Sequence, residues 1–214
     1  MKRNLLIIAV LILSFQLFSQ ETEEPINVQQ KDNDEIKTLL GDVNSYGLYL
    51  GLTLNYSVLN NENAMFIGGK GALVIGHGLA IGLAGYGFSN DYKWNPVMKQ
   101  NVNLEGGYGG FYIEPIIFPK FPIHIALPVF VGVGGISYMG DNYYSYDDWE
   151  NYVEDNDAFV LIEPGVEMEM NLVRFLRVSI GASYRYSSDI RLMNVKSDVL
   201  NGLSTGITFK FGGF

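Results

Sequence analysis

Leu176-Arg177-Val178-Ser179-Ile180-Gly181-Ala182-Ser183-Tyr184-Arg185-Tyr186 alternates without a slip. Leu176, Val178, Ile180, Ala182, Tyr184 and Tyr186 fall on one side, and Arg177, Ser179, Gly181, Ser183 and Arg185 on the other. A period of two belongs to a strand with two unlike faces, because successive side chains point oppositely. No large apolar side chain appears on the polar face.

The same scheme recurs at both ends of the chain. Near the start, Leu48, Leu50, Leu52, Leu54 and Tyr56 alternate with Gly47, Tyr49, Gly51, Thr53 and Asn55. At the finish, Leu203, Thr205, Ile207, Phe209 and Phe211 alternate with Ser204, Gly206, Thr208 and Lys210. Between them the pattern predicts strands at 64–76, 78–88, 103–117, 122–138 and 158–170, which makes eight. The connections alternate in length. Gly76-His77-Gly78, Phe118 to Pro122 and Asn171 to Arg174 are short, whereas 57–63, 89–102, 139–157 and 187–200 are longer and more polar. Short turns on the periplasmic side and long loops outside are the layout of a bacterial outer-membrane barrel. The expectation is an all-β, eight-stranded, antiparallel up-and-down transmembrane β-barrel.

What precedes the strands reads as export machinery. Residues 1–20 combine Lys2 and Arg3, the apolar run Leu5 to Leu13, and a polar ending at Ser19-Gln20, which is a signal-peptide layout with cleavage expected near Gln20. Residues 21–44 carry seven acids against Lys31 and Lys37 and read as a short acidic periplasmic tail. The barrel itself is expected over 45–214. Without cysteine there is neither a lipidated N-terminal Cys nor a disulfide. Losing Lys2 and Arg3 with the signal moves the formal charge from −9 to −11, which argues against nucleic-acid partners.

Two rival folds fail on particular residues. Residues 71–90 and 121–140 are each uncharged and long enough for a membrane helix, but the first holds six glycines between Gly71 and Gly87, and the second is broken by Pro122 and Pro128. A soluble β-sandwich would also alternate. Its solvated face would not be lined by glycine and serine, which inside a narrow barrel leave room for larger inward side chains. The apolar face also ends in aromatics, Tyr56, Tyr184 and Tyr186 toward the loops and Phe121, Phe209, Phe211 and Phe214 toward the turns, like two interfacial girdles.

Carried through every strand, the alternation points Lys70, Glu114, Glu163, Glu167, Glu169, Arg177, Arg185 and Lys210 inward, four cations against four anions. Unpaired buried charge costs several kcal/mol per group, so a balanced set predicts an internal ion-pair network. Across the turn at 171–174, Glu169 should face Arg177, with Glu163 diagonally near Arg185. The network reads as a polar plug, with a narrow pore or gate as the alternative. Remaining acidity concentrates in loop 139–157, where Asp141, Asp147, Asp148, Glu150, Glu154, Asp155 and Asp157 are interleaved with Tyr143, Tyr144, Tyr146, Trp149 and Tyr152. That loop is a candidate for lipopolysaccharide or an extracellular partner, but it has no calcium-loop spacing, so no metal site or cofactor is assigned. Catalysis is not expected. His77 lies in a turn, and His124 at the lower end of a strand suits a hydrogen bond in the lumen. Gly106-Gly107-Tyr108-Gly109-Gly110 precedes no helix and reads as close strand packing rather than a phosphate loop. Each Glu-Pro step, Glu114-Pro115 and Glu163-Pro164, sets an inward acid beside an outward proline and predicts a bulge or local opening.

The stretches Gly68 to Gly78 continuing into Ala80-Ile81-Gly82-Leu83, Gly109-Gly110-Phe111-Tyr112-Ile113-Glu114-Pro115-Ile116-Ile117 and Leu161-Ile162-Glu163-Pro164-Gly165-Val166-Glu167 resemble a family of small outer-membrane β-barrels of Bacteroidetes. In architecture these are similar to OmpA-like and OmpX-like barrels. The ending Phe209-Lys210-Phe211-Gly212-Gly213-Phe214 resembles the aromatic C-terminal signal read by the barrel-assembly machinery. The resemblance implies an outer-membrane location in a Gram-negative bacterium and brings no established activity; the filled lumen and the acidic, aromatic loop point to a structural, envelope-integrity or adhesion role.

Overall fold

A computed structural model describes residues 45–97, 99–140 and 155–214. Over these the chain is antiparallel sheet: β1 Tyr46–Leu59, β2 Glu62–Ile75, β3 Leu79–Asn90, β4 Lys93–Asn95, β5 Gln100–Ile117, β6 Ile123–Ala126, β7 Val129–Gly140, β8 Asn156–Val173, β9 Leu176–Ser187 and β10 Gly202–Gly212. Around the wall β1 pairs with β2, β2 with β3, β3 with β5, β5 with β6 and β7, both of these with β8, β8 with β9, β9 with β10 and β10 with β1, so the sheet closes on itself. β6 and β7 are two parts of one wall strand, parted at Leu127-Pro128. Their pairing with β8 keeps one register across the break, Ala126↔Glu167 and then Val129↔Pro164. β4 folds back only onto the start of β5, leaving eight strands in the wall.

Several expected boundaries shift for local reasons. The connection expected at 57–63 is a two-residue turn, Asn60-Asn61, both residues with φ near +60° (54° and 65°), so β1 and β2 pair as far as Leu59↔Glu62. Positive φ at both central positions suits the twist of a tight hairpin, and asparagine tolerates it. Gly76-His77-Gly78 makes a three-residue turn at the opposite end of β2, with φ of 58° at both Gly76 and His77. Neither Glu-Pro step produces a bulge. Pro115 stays in register opposite Leu79, and Pro164 opposite Val129. The one register irregularity in β8–β9 lies instead between Asn171 and Val173.

The burial pattern is inverted relative to a water-soluble protein. Side chains on the outer face are apolar and exposed, with Leu50 at 67%, Leu52 at 65% and Val133 at 63%. Inward neighbours are buried, so the core is the lumen itself. An exposed apolar surface running around every wall strand is what a bilayer covers. Tyr56, Tyr184, Tyr186, Phe121, Phe209 and Phe211 lie exposed on this surface near its two edges, joined by Phe118 and Phe175 at the turn end. Phe214 departs from the expected girdle. It is half-buried, and its ring packs against Tyr49 inside the barrel, 5.6 Å between centroids.

Close strand approach depends on inward glycines. A Cβ added at Gly110 would lie 2.1 Å from the carbonyl oxygen of Val131, whereas at the outward Gly85 its nearest neighbour would be 3.8 Å away. Gly110→Ala is therefore expected to destabilise the barrel by about 1–3 kcal/mol and Gly85→Ala by less than about 0.5 kcal/mol, measured by urea unfolding in detergent micelles. Equal effects would contradict the packing described.

Candidate functional site

The inward positions of all eight wall strands fill the lumen in three layers. In the half nearest the short turns, ionised groups meet. Lys210 of β10 contacts Glu114 of β5 at 2.8 Å, Glu167 of β8 at 3.3 Å, and Glu169 of β8. Lys70 of β2 holds Glu114 at 3.3 Å and Glu167 at 3.0 Å. These contacts cross the lumen between strands that are not neighbours in the wall. Arg177 reaches Glu169 at 3.6 Å, so three cations face three carboxylates. The carboxylate oxygens of Glu114, Glu167 and Glu169 lie within 4.8 Å of one another, close enough to hold a metal ion. The ammonium groups of Lys70 and Lys210 already contact them there and neutralise them.

Neutral donors complete the layer. The Tyr49 hydroxyl donates to Glu114 at 3.0 Å and is hydrogen-bonded to the Tyr112 hydroxyl at 2.6 Å. Ser179 donates to Glu167 at 2.8 Å, and His124 Nε2 meets Glu169 at 2.9 Å. Such saturation is what lets the charges remain buried, since each carboxylate oxygen would otherwise pay the desolvation cost uncompensated. Toward the turns, the Arg177 guanidinium lies 3.9 Å from the Phe214 ring centroid, and Phe214 packs on Tyr49. Arg177 Nε has no hydrogen-bond partner among the described residues.

Above this layer the lumen turns aromatic. Glu163 accepts hydrogen bonds from Tyr108 at 3.0 Å and Ser183 at 2.5 Å. Tyr108 packs against Phe66, Phe88, Phe130 and Phe159, with centroids 5.6–6.4 Å apart. Inward glycines make space for these rings. A side chain at Gly106 would meet the Phe88 ring at 2.5 Å, and one at Gly132 the Phe130 ring at 2.6 Å. The Arg185 guanidinium sits 4.2 Å from the Phe66 ring centroid and donates through Nε to the Leu200 carbonyl at 2.8 Å. It also donates to Ser204 and Ser57, both at 3.4 Å.

The third layer comes from the connection between β9 and β10, which folds over the loop end. Ile190, Leu192, Val199 and Leu200 are buried with Leu59, Leu104 and Ile136 of the wall. Asp157 and Asp155 accept from the backbone N–H groups of Arg191 and Met193, both at 2.6 Å, and Tyr138 donates to the Met193 carbonyl at 2.8 Å.

All eight charges expected inside the barrel are brought into the lumen, but two expected pairings differ. Glu169 stands opposite Ser179, and Arg177 opposite Asn171, because β8 runs on to Val173 and turns at Arg174-Phe175, tighter than the expected 171–174, with a one-residue irregularity at Asn171–Val173. Arg177 still touches Glu169, diagonally. Glu163 and Arg185 reach no ion-pair contact, each turning to the hydroxyl and carbonyl partners named above. Asp141, Tyr143, Tyr144, Tyr146, Asp147, Asp148, Trp149, Glu150, Tyr152 and Glu154 lie outside the described residues. The phenols of Tyr49, Tyr108 and Tyr112 were not singled out in the sequence, although each occupies an inward position on its strand. The apolar burial at 190–200 gave no periodic signal at all.

Neither a family model nor a curated protein matches the sequence. Solved structures do. Neisserial surface protein A aligns over 78% of this chain and 96% of its own at 9% identity, with a TM-score of 0.51. The N-terminal β-barrel domain of Pseudomonas aeruginosa OprF covers 77% of this chain and 97% of its own at 8% identity and TM-score 0.43. Ail, the attachment invasion locus protein of Yersinia pestis, covers 78% and 97% at 9% identity and TM-score 0.41. The fold is that of the small outer-membrane β-barrels. Identity this low carries the fold and nothing of activity.

Because Lys210 serves three carboxylates, Lys210→Met is expected to destabilise the barrel by about 3–5 kcal/mol, and adding Glu169→Gln to recover part of the loss, as urea unfolding reads it. A single-variant loss below about 1 kcal/mol would contradict the network's structural weight.

Proposed function

We propose that this chain is an outer-membrane β-barrel of a Gram-negative bacterium that acts as a structural or adhesive surface element and not as a conduit. The observation that carries the reading is the filling of the lumen at three heights, by ion pairs, by packed aromatic rings and by residues 190–200. A barrel of eight strands has an interior just wide enough for side chains to fill. What remains for function is the outer surface. There the acidic, aromatic loop 139–157 supports contact with lipopolysaccharide or an extracellular partner, aromatic residues being favoured at the centre of interfaces. The outward Phe209 and Phe211, with Phe214, support recognition by the barrel-assembly machinery, and the resemblance to small Bacteroidetes barrels fits the same reading.

Catalysis finds no support in the histidines. His124 is occupied by Glu169 and the Phe121 carbonyl, and His77 sits in the turn between β2 and β3. A second reading, a narrow pore, is favoured by one observation, a cavity of about 60 Å³ beside Lys70, Glu163 and Glu167. Planar-bilayer recording of the refolded protein separates the two. The structural reading predicts no stable conductance steps. A stable, ion-selective conductance abolished by Arg185→Glu would contradict it.

A further inference from the structure

Three prolines stand at one height in neighbouring wall strands: Pro115 in β5, Pro128 between β6 and β7, and Pro164 in β8. In an antiparallel pair the N–H and C=O of one residue point to the same neighbour, so the surviving bond of each pair shows which one is lost. Leu127 N–H donates to the Pro115 carbonyl at 2.9 Å, and Gly165 N–H to the Pro128 carbonyl at 2.8 Å. Neither bond is returned, because a proline nitrogen carries no hydrogen. On the next seam the pairing runs from Ile162↔Tyr186 directly to Gly165↔Ser183 and skips the positions of Glu163 and Pro164. The carbonyls of Leu127, Gly165 and Tyr184 therefore lose their ladder donors, on three successive seams.

The wall is also thin here. On the lumen side lies the 60 Å³ cavity, bordered by Lys70, Glu163, Glu167 and Ser183 together with Pro128 and Gly165. On the outer face lies a furrow between Val166, Met168, Ile180 and Thr205. Gly181, Ala182 and Gly206 border both. A Cβ at Gly181 would lie 2.5 Å from the Val166 carbonyl oxygen, and at Gly206 2.3 Å from that of Leu54, so the strands close up only because no side chain intervenes. Carbonyls without partners are costly at membrane depth unless they line a hydrated cavity. A cavity of this volume holds about four waters.

We propose that the proline row is a lateral opening through which water and small neutral hydrogen-bonding molecules pass between the membrane side and the cavity. Both ends of the lumen are closed, by Tyr49, Arg177 and Phe214 at one end and by residues 190–200 with the aromatic layer at the other, so the route runs sideways. The apolar furrow excludes ions from it, while Lys70, Glu163, Glu167 and the hydroxyls of Ser179 and Ser183 bind what enters. The inference rests on the barrel spanning a membrane, as proposed above.

The absence of cysteine makes the test clean. Ser183→Cys, in barrels reconstituted into lipid vesicles, should react with neutral N-ethylmaleimide at least a hundredfold faster than with a bulky charged maleimide. Pro128→Val and Pro164→Val, each of which restores an N–H, should slow the neutral reaction at least tenfold. Leu52→Cys on the outer face checks the membrane reading separately. If the charged reagent labels it freely, the barrel is not embedded, and the failure belongs to that reading. With Leu52→Cys shielded, three results would overturn the opening: no neutral labelling of Ser183→Cys, equal labelling by both reagents, or rates unmoved by the valines. Should the valine variants not fold, amide exchange of the unaltered protein decides. Leu127 and Gly165 should exchange at least tenfold faster than Gly51 and Gly69, and equal protection would overturn the proposal.

Discussion

Lys210 touches three carboxylates on two strands that are not its neighbours, and the arrangement of the lumen follows from that contact. Lys210 is fully buried, away from bulk water, so anions must come to its ammonium group. Glu114, Glu167 and Glu169 do so, and Lys70 and Arg177 then balance the excess negative charge they bring. Hydroxyls from Tyr49 and Ser179 and the His124 ring take up further carboxylate positions. Because the contacts join β2, β5, β8 and β10 across the interior, they fix the relative heights of strands that share no ladder. Removing one member strands the others, which is why a network of this kind is costly to break piecemeal.

The layers above obey a different rule. Tyr108, Phe66, Phe88, Phe130 and Phe159 bury large apolar area in rings that fit only where the facing residue is glycine, as at Gly106 and Gly132. Arg185 bridges the two regimes. Its plane lies over the Phe66 ring while its Nε–H is spent on the Leu200 carbonyl, tying the wall to the covering segment. The outer face needs none of this specificity. It is uniformly apolar, and the bilayer supplies its partner.

Much of this was legible in the sequence because a strict period of two leaves little freedom. Leu48 to Tyr56 and Leu176 to Tyr186 assign inside and outside residue by residue, and the eight inward charges follow from parity alone. Parity says nothing about register beyond the nearest turn. β8 continues to Val173 and turns at Arg174-Phe175, and the irregularity at Asn171–Val173 takes up one residue, so Glu169 meets Ser179 instead of Arg177. It also says nothing once the strand ends. Phe214 follows Gly212 and Gly213, and the chain there turns its last ring inward instead of continuing the outward row. Ile190, Leu192, Val199 and Leu200 are scattered through a polar connection, and only the fold brings them together over the mouth. Pro115 and Pro164 carried a sound warning of lost ladder bonds. The pairing absorbed that loss as gaps in an unshifted register, with Pro128 adding a third.

The apolar side of each strand faces lipid and the polar side a closed lumen. Site-directed spin labelling from Leu50 to Asn55, one position at a time in reconstituted membranes, reads this orientation residue by residue. Labels replacing Leu50, Leu52 and Leu54 should collide with membrane-dissolved oxygen and be shielded from a water-soluble nickel chelate, while those replacing Gly51, Thr53 and Asn55 should be shielded from both. An alternation in which the leucine positions meet the nickel chelate would contradict it.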